Sequence, residues 1–410
     1  MNVLFLTMVK IDVHQRGIYN DLMRKFQKEG NHLYIVCPTE RREGRKTYIE
    51  HKDNIHTLYV RTLNVQKTNA IEKGIGQISI EYLFYRAIKK YYDDITFNLI
   101  LYTTPPIFFA GVVERIKRLY PQAISYLMLK DMFPQNAIDM GMMKTTGFSG
   151  FLYRNFRKQE IRLYHVSDYI GCTSPAHITY LLEHNSFIPQ EKVEICPNSL
   201  ELFERRAYDE IKKEGKAVLE KYGIPTEKPI IIYGGNLGIP QDIPFVIRCL
   251  ENNKKRDDCH FVVVGTGTFY PMLKEWYQSN KGYNVTVLKG LPKDEYDLLV
   301  QSCHIGLVFL DYRFTFPNYP SRLLSYLEYK MPVICVTDQS CDMGAIAEKN
   351  GYGCYVPSNN VDEFTAAVDK MLTADIQAMG EKGFEFLKKN YLVEHTYNAI
   401  MSHVKASVGK

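Results

Sequence analysis

The chain has no C-x-x-C pair, no histidine spacing suited to a metal ion and no apolar run long enough to span a bilayer. Each absence removes a class of protein. The nine cysteines sit singly, several inside strand patterns such as Cys37 and Cys335. They read as reduced, buried thiols, neither a disulfide framework nor a zinc site. A membrane-spanning helix needs about 20 consecutive apolar residues. The N-terminus reads as a strand with no cleavage site behind it, so a cytoplasmic location is expected. Neither sign of charge dominates. A net charge of +5 over 410 residues suits phosphate-bearing or acidic partners but is too small to argue for nucleic acid. The dinucleotide fingerprint G-x-G-x-x-G is missing too: the first strand, NVLFLTMV, leads into KIDVHQRG.

What is present describes a globular chain with room for two domains. Hydrophobic residues make up 45% and charged residues 24%. Short β-branched runs alternate with helix-length amphipathic segments throughout, the pattern of α/β parallel sheets. In the second half the order is IIIYGGNLG, HFVVVGTGTF, VTVLKGLPKDEYDLL, HIGLVFLDYRF, YPSRLLSYLEYKMPVICV and GYGCYVP, from Ile230 onwards. Glycines stand at the strand ends, where backbone N–H groups can approach a diphosphate closely.

The first half repeats the plan. NVLFLTMV is a buried strand. RGIYNDLMRKFQKEG reads as a helix with Ile18, Leu22 and Phe26 on one face and Gly30 as its stop. The charged stretch from Glu40 to Thr62 reads as a loop with a hairpin-like region. FNLILYTTPPIFFAG and AISYLMLKDMFPQNAIDMGMM add strands that end near Thr104 and near Lys130 and Asp131. Residues at the carboxyl ends of parallel strands face a ligand crevice. This makes Gly17, Thr104, Asp131, Ser174 and Asn198 candidate cleft residues. Ser174 and Asn198 serve equally well as cap and turn residues beside Pro175 and Pro197.

The order of the segments from Ile230 to Val356 resembles the nucleotide-sugar half of family-4 retaining glycosyltransferases. The strings DMFPQNAIDMG, FRKQEIRLYHVSDYIGCTSPAHITYL and CPNS are similar to a subgroup that builds O-antigens and capsules and includes N-acetyl-L-fucosamine-type transferases. The resemblance implies an α/β GT-B fold, with two Rossmann-like domains facing a cleft. Residues 1–199 would bind the acceptor, 200–385 would bind the nucleotide-sugar, and 386–410 would form a crossover helix, with Asn390 and Tyr391 at its kink. It implies transfer of a sugar from a nucleotide-sugar, UDP-linked by the subgroup likeness, with no separate cofactor. The acceptor would be a lipid-diphosphate-linked glycan at the inner face of the cell membrane, in capsule, O-antigen or exopolysaccharide assembly. Two other readings stay open: an enzyme like UDP-N-acetylglucosamine 2-epimerase, to which Asp12 and His14 could contribute, and a nucleotide-binding partner subunit that has lost activity.

The chemistry needs a stabilised leaving diphosphate, which preorganised N–H groups and a fixed cation supply best. No D-x-D occurs, so a metal-independent reaction is expected. The family has an Arg and a Lys where this chain has Asn236 and Asp242. The candidate cation is therefore Arg322 in YPSRLLSYLEY, placed by Pro320 and Ser321 at a helix start. The family's E-x7-E pair falls on Pro317 and Ser325, and Glu328 stands one turn after Ser325. The resemblance thus puts donor contacts at Gly235, Asn236, Leu237, Gly238, Gly265, Gly267, Ser321, Arg322, Ser325 and Glu328, with Gly290 and Leu291 beside the base. It puts acceptor contacts at His14, Gly17, Thr104, Lys130 and Asp131. Arg322, Asp131 and Glu328 are the candidate catalytic residues, and no residue is assigned to a metal. In Gly147 to His165, Phe148, Phe151, Leu152 and Phe156 interleave with Arg154, Arg157, Lys158 and Arg162. This segment suits either an anionic membrane surface or a packed helix with a basic face.

Overall fold

The computed structural model describes residues 1–64, 70–202 and 208–408, apart from the side chains of 70–75, 77, 148, 208–212 and 406–408. The chain forms two compact units: Met1–Glu201 with Val393–Lys410, and Leu202–Leu392.

The first unit is built on an eight-stranded sheet. Its strands are β1 (Asn2–Leu6), β2 (His32–Glu40), β3 (Tyr48–Lys52), β4 (Ile55–Thr62), β5 (Leu99–Thr103), β6 (Ile124–Met128), β7 (Tyr169–Cys172) and β8 (Val193–Ile195). They lie in the order β3-β4-β2-β1-β5-β6-β7-β8, and only β3 runs antiparallel to its neighbour. The hairpin-like region of the sequence is the β3–β4 ribbon. Val3, Phe5, Leu33, Ile35, Leu99 and Leu101 share one core face, as the period of two requires. Leu22, Met23 and Phe26 of the helix Ile18–Lys28 pack onto that face.

The last helix, Val393–Val408, belongs to this unit. Val393 N–H donates to Leu200 O at 2.9 Å, and Tyr397 meets Phe26 edge-on with ring centres 4.8 Å apart. Tyr391 and Leu392 separate it from the helix Ile376–Asn390, which packs in the second unit on the helix Arg322–Glu328.

The second unit has six parallel strands: β9 (Ile230–Asn236), β10 (His260–Thr266), β11 (Val285–Lys289), β12 (Ile305–Phe309), β13 (Val333–Thr337) and β14 (Gly353–Pro357). Their order is β11-β10-β9-β12-β13-β14. Both sheets are of the doubly wound type. The chain reverses its direction of growth between β1 and β5 in one and between β9 and β12 in the other, and such switch points open ligand crevices.

The β9–β12 switch point has a specific cause. β9 and β12 pair only through Ile231 with Ile305 and Ile232 with Gly306. Beyond them β12 turns to β13 and leaves β9 without a ladder. The Tyr326 hydroxyl fills the gap. It accepts from Gly234 N–H at 3.2 Å and lies 3.3 Å from the carbonyl oxygens of both Ile232 and Leu307. Gly306 makes room for it, since a Cβ there would sit 2.4 Å from the Tyr326 ring. Removing the hydroxyl strands buried backbone groups, which costs roughly 1–3 kcal/mol. Tyr326→Phe should lower unfolding stability by about that amount in urea titration; an unchanged midpoint would show that the splayed strands do not depend on this bridge.

Candidate functional site

A cavity of about 570 Å³ opens at the β9–β12 switch point of the second unit. That volume lies within the range of roughly 300–1,000 Å³ typical of small-molecule sites. Its floor is the glycine turn at the end of β9. Gly235 has φ 135°, a backbone conformation that favours glycine. Eight of the residues placed here by resemblance line the cavity: Gly235, Asn236, Gly265, Gly290, Leu291, Ser321, Arg322 and Ser325. Gly234, Gln241, Val264, Thr266, Tyr296, Leu310, Asn318 and Pro320 complete it.

Four expected donor contacts lie outside the lining. Leu237 is fully buried in the core. Gly238 donates its N–H to Gln241 Oε1 at 3.3 Å, and Gly267 packs against the Leu237 backbone. Glu328 is buried on the same helix as Ser325, away from the cavity. Three residues along a helix turn the side chain by about 300°, so the shared face suggested by spacing does not bring Glu328 into the lining.

The two positions where resemblance leads one to expect cations have other work. Asn236 Nδ2 donates to Gln241 Oε1 at 2.9 Å, which braces the loop. Asp242 adopts φ 44° and caps the helix Ile243–Asn253, accepting from Phe245 N–H at 3.2 Å. Burial pushes its carboxyl above the ordinary value.

Arg322 is the cation that the cavity presents. Its guanidinium stacks on the Tyr233 ring at 4.4 Å and lies 3.1–3.3 Å from where a Cβ on Gly235 would be. Nη1 is buried with no hydrogen-bond partner. No carboxylate among the described residues pairs with it, so an anion in the cavity would meet an uncompensated positive charge. The helix it begins spans only seven residues, Arg322–Glu328. The side-chain charge, and not a helix dipole, is what this segment brings. Tyr296 stands beside it, and burial pushes its phenol up to about 12, so it is an O–H donor at neutral pH. Nothing in the spacing pointed to Tyr296, Gln241 or Asn318.

The acceptor contacts predicted for the first unit lie in the loops that follow its strands β1, β5 and β6. Thr104 Oγ1 accepts from Lys130 N–H at 3.0 Å and from Asp131 N–H at 3.3 Å, tying the ends of β5 and β6 together. Lys130 Nζ donates to Cys196 O at 2.8 Å, and burial lowers its pKa. Asp131 accepts from Asn136 Nδ2 at 2.8 Å through one oxygen, while Oδ1 is buried without a partner. Burial raises its carboxyl from 3.8 to about 6. His177, which sequence reasoning passed over, is buried with Nε2 unpartnered and a pKa pushed down to about 3 by burial, then by Lys130. Ser174 caps its helix by accepting from His177 N–H. Gly17 N–H donates to Asp21 at 3.1 Å. His14 lies 2.6 Å from Lys52 Nζ and lines a separate cavity of about 270 Å³ with Asp12, Glu50, Thr57 and Tyr59.

The basic helix Gly147–Val166 is only partly as its sequence suggested. Phe156 packs against Phe133 and Phe108. Arg157 is bonded to Glu160 and Asn185, and Arg162 to Glu114 and Glu81. Phe151 and Leu152 are exposed beside Arg154 and Lys158, and the Phe148 side chain lies outside the described residues. No helix among the described residues is long and apolar enough to cross a membrane, and no group of three metal-ligating side chains occurs among them.

Two doubly wound units, with a cavity at a switch point that presents a cation, define the α/β class of the protein, and comparison with known proteins sharpens it. A family model described as Glycosyl transferases group 1 matches residues 216–385, which contain every residue of the larger cavity. Those residues are a glycosyltransferase domain, and the protein is a glycosyltransferase in class. Solved structures match the whole chain at low identity. Sucrose-phosphate synthase from Thermosynechococcus elongatus has a TM-score of 0.73 at 13% identity, covering 100% of this chain and 99% of its own. A trehalose-6-phosphate structure from E. coli bound with UDP-2-fluoro glucose has 0.73 at 11%, covering 99% of each chain. WaaG, a glycosyltransferase involved in lipopolysaccharide biosynthesis, has 0.63 at 13%, covering 100% of each. These likenesses establish the fold as GT-B. A search of curated proteins finds no match.

Two outcomes follow. Arg322→Ala should weaken nucleoside diphosphate binding by on the order of 1.5–3 kcal/mol while leaving the nucleoside nearly unaffected; equal UDP affinities by calorimetry would remove Arg322 from the anion site. Asp131 should set a pH dependence. Because its folded pKa is raised, the native state holds its proton more tightly than the unfolded chain, and stability falls as pH rises from about 4 to about 6. Asp131→Asn should abolish that fall, on the order of 2 kcal/mol, in urea titrations at pH 4 and pH 8.

Proposed function

We propose that the protein is a retaining, metal-independent glycosyltransferase that moves a sugar from a UDP-sugar to a lipid-diphosphate-linked glycan in bacterial capsule, O-antigen or exopolysaccharide assembly. The observation that carries the donor half is the Arg322 guanidinium, unpaired over the Gly235 turn in a cavity at the switch point. In this reading the diphosphate meets Arg322 and the glycine turn. Gly290 and Leu291 border the base, and Ser325 takes the ribose side. Negative charge grows on the diphosphate as the sugar bond breaks, and a fixed cation gains most at that moment. On the acceptor side, Asp131 is the group whose raised carboxyl can exchange a proton near neutral pH.

The acceptor half rests on the subgroup likeness of DMFPQNAIDMG and CPNS and on the exposed patch of Phe151, Leu152, Arg154 and Lys158. We place the protein at the inner face of the cell membrane, held there by this patch. Apolar side chains beside exposed cations suit an anionic interface, and each cation contributes about 1 kcal/mol there.

One assay tests both halves. The protein is incubated with UDP-sugars and a lipid-diphosphate acceptor in anionic vesicles, with and without EDTA, while UDP release, transfer and epimerisation are followed. Transfer should survive EDTA, and the Arg154→Glu, Lys158→Glu double variant should lose vesicle binding at least tenfold. Loss of transfer on chelation, restored by Mg²⁺, would sink the metal-independent mechanism. Epimerised UDP-sugar without transfer would select the epimerase reading, and UDP binding with no turnover would select an inactive subunit. Unchanged vesicle binding by the double variant would remove the patch as the anchor.

A further inference from the structure

Three phenols crowd the Arg322 guanidinium, and two of them are committed. The Tyr233 hydroxyl donates to Asn236 O at 2.7 Å. The Tyr326 hydroxyl is held by Gly234 N–H and the carbonyls of Ile232 and Leu307. The third, Tyr296, has no hydrogen-bond partner for its hydroxyl among the described residues, yet its side chain lines the cavity. Its place is set by the first turn of the helix Lys293–Gln301, where Tyr296 N–H donates to Pro292 O at 2.9 Å.

The location of that hydroxyl is specific. It would lie 2.2 Å from a Cβ on Gly234, while the Arg322 guanidinium would lie 3.1–3.3 Å from a Cβ on Gly235. Two donors with spare hydrogen-bonding capacity, one neutral and one cationic, thus rest against consecutive residues of the same glycine turn. Any side chain on Gly234 would push the phenol away, so the doubled glycine and the tyrosine form one device. The two cations that the family likeness leads one to expect are replaced here by a loop brace, Asn236, and a helix cap, Asp242.

We propose that the Tyr296 hydroxyl is a second donor to the leaving diphosphate, acting with Arg322 in place of the cations absent at 236 and 242. This rests on the donor-site reading given above. A phenol O–H directed at a phosphate oxygen makes a charge-assisted hydrogen bond and adds no charge to the site. As the bond to the sugar breaks, that hydrogen bond strengthens, so its loss reaches kcat as well as affinity.

The test is Tyr296→Phe, which keeps the ring over Gly234. Titration calorimetry with UDP and with uridine is run on wild type and variant, followed by transfer kinetics. The variant should bind UDP roughly 10–100-fold more weakly with uridine affinity unchanged, and kcat should fall. If UDP affinity stays within about twofold of wild type, the hydroxyl does not touch the diphosphate and the proposal is overturned. An equal loss for UDP and uridine also overturns it, because it makes Tyr296 a wall residue. If wild type binds neither UDP nor another nucleoside diphosphate, the donor-site reading itself fails and takes this proposal with it. Normal wild-type binding with an indifferent variant overturns the proposal alone.

Discussion

The larger cavity opens where two strands part around one hydroxyl group. Parallel strands stay in register because each backbone group finds a partner, and a crevice within a sheet must interrupt that pairing without leaving buried groups bare. Here β9 and β12 part after two residue pairs, and Tyr326 supplies the missing partners from the helix that follows β12. The same helix begins with Arg322. The residue that keeps the strands apart and the residue that offers charge to the opening therefore stand four positions apart on one short element. Gly306 admits the Tyr326 ring, and Gly235 admits the guanidinium. The site is a consequence of where this helix sits, and its glycines are the clearances that let it sit there.

Much of the fold was legible because buried parallel strands leave a plain trace. The runs at Ile230, His260, Val285 and Val333 are strands, and the segments between them are helices, since apolar β-branched runs have few other uses in a chain of this composition. The glycine turn and the P-S-R segment could be placed at the cavity for the same reason: both follow strand ends, which converge by topology. Tyr296 was not legible. It lies in KDEYDLL, an ordinary-looking first turn of a helix, and its approach to Gly234 is a contact between residues distant in sequence. Glu328 shows the converse. Spacing put it near Ser325, but burial of the helix's inner face carries it away from the opening.

The basic helix Gly147–Val166 shows a second limit. Charge counting treats every arginine alike, whereas folding commits Arg157 and Arg162 to Glu160, Glu114 and Glu81 and leaves Arg154 and Lys158 outward. A paired cation contributes little to a long-range field. Only the free fraction of a basic segment can act on a surface, and which fraction is free depends on carboxylates elsewhere in the chain.

The helix Val393–Val408 has a consequence for how the molecule is made. It returns to the first unit, and Val393, Tyr397, Ile400, Met401 and Val404 are part of that unit's core. During synthesis the N-terminal sheet emerges first, but its core is incomplete until the helix Val393–Val408 has been made. The second unit, contiguous from Leu202 to Leu392, has all its strands before then. The unit that is translated second is therefore the first able to finish folding, and the older sheet waits with an uncovered apolar face. A product cut short before Val393 would carry a whole second unit and an unfinished first one, and cellular quality control could recognise that exposed face.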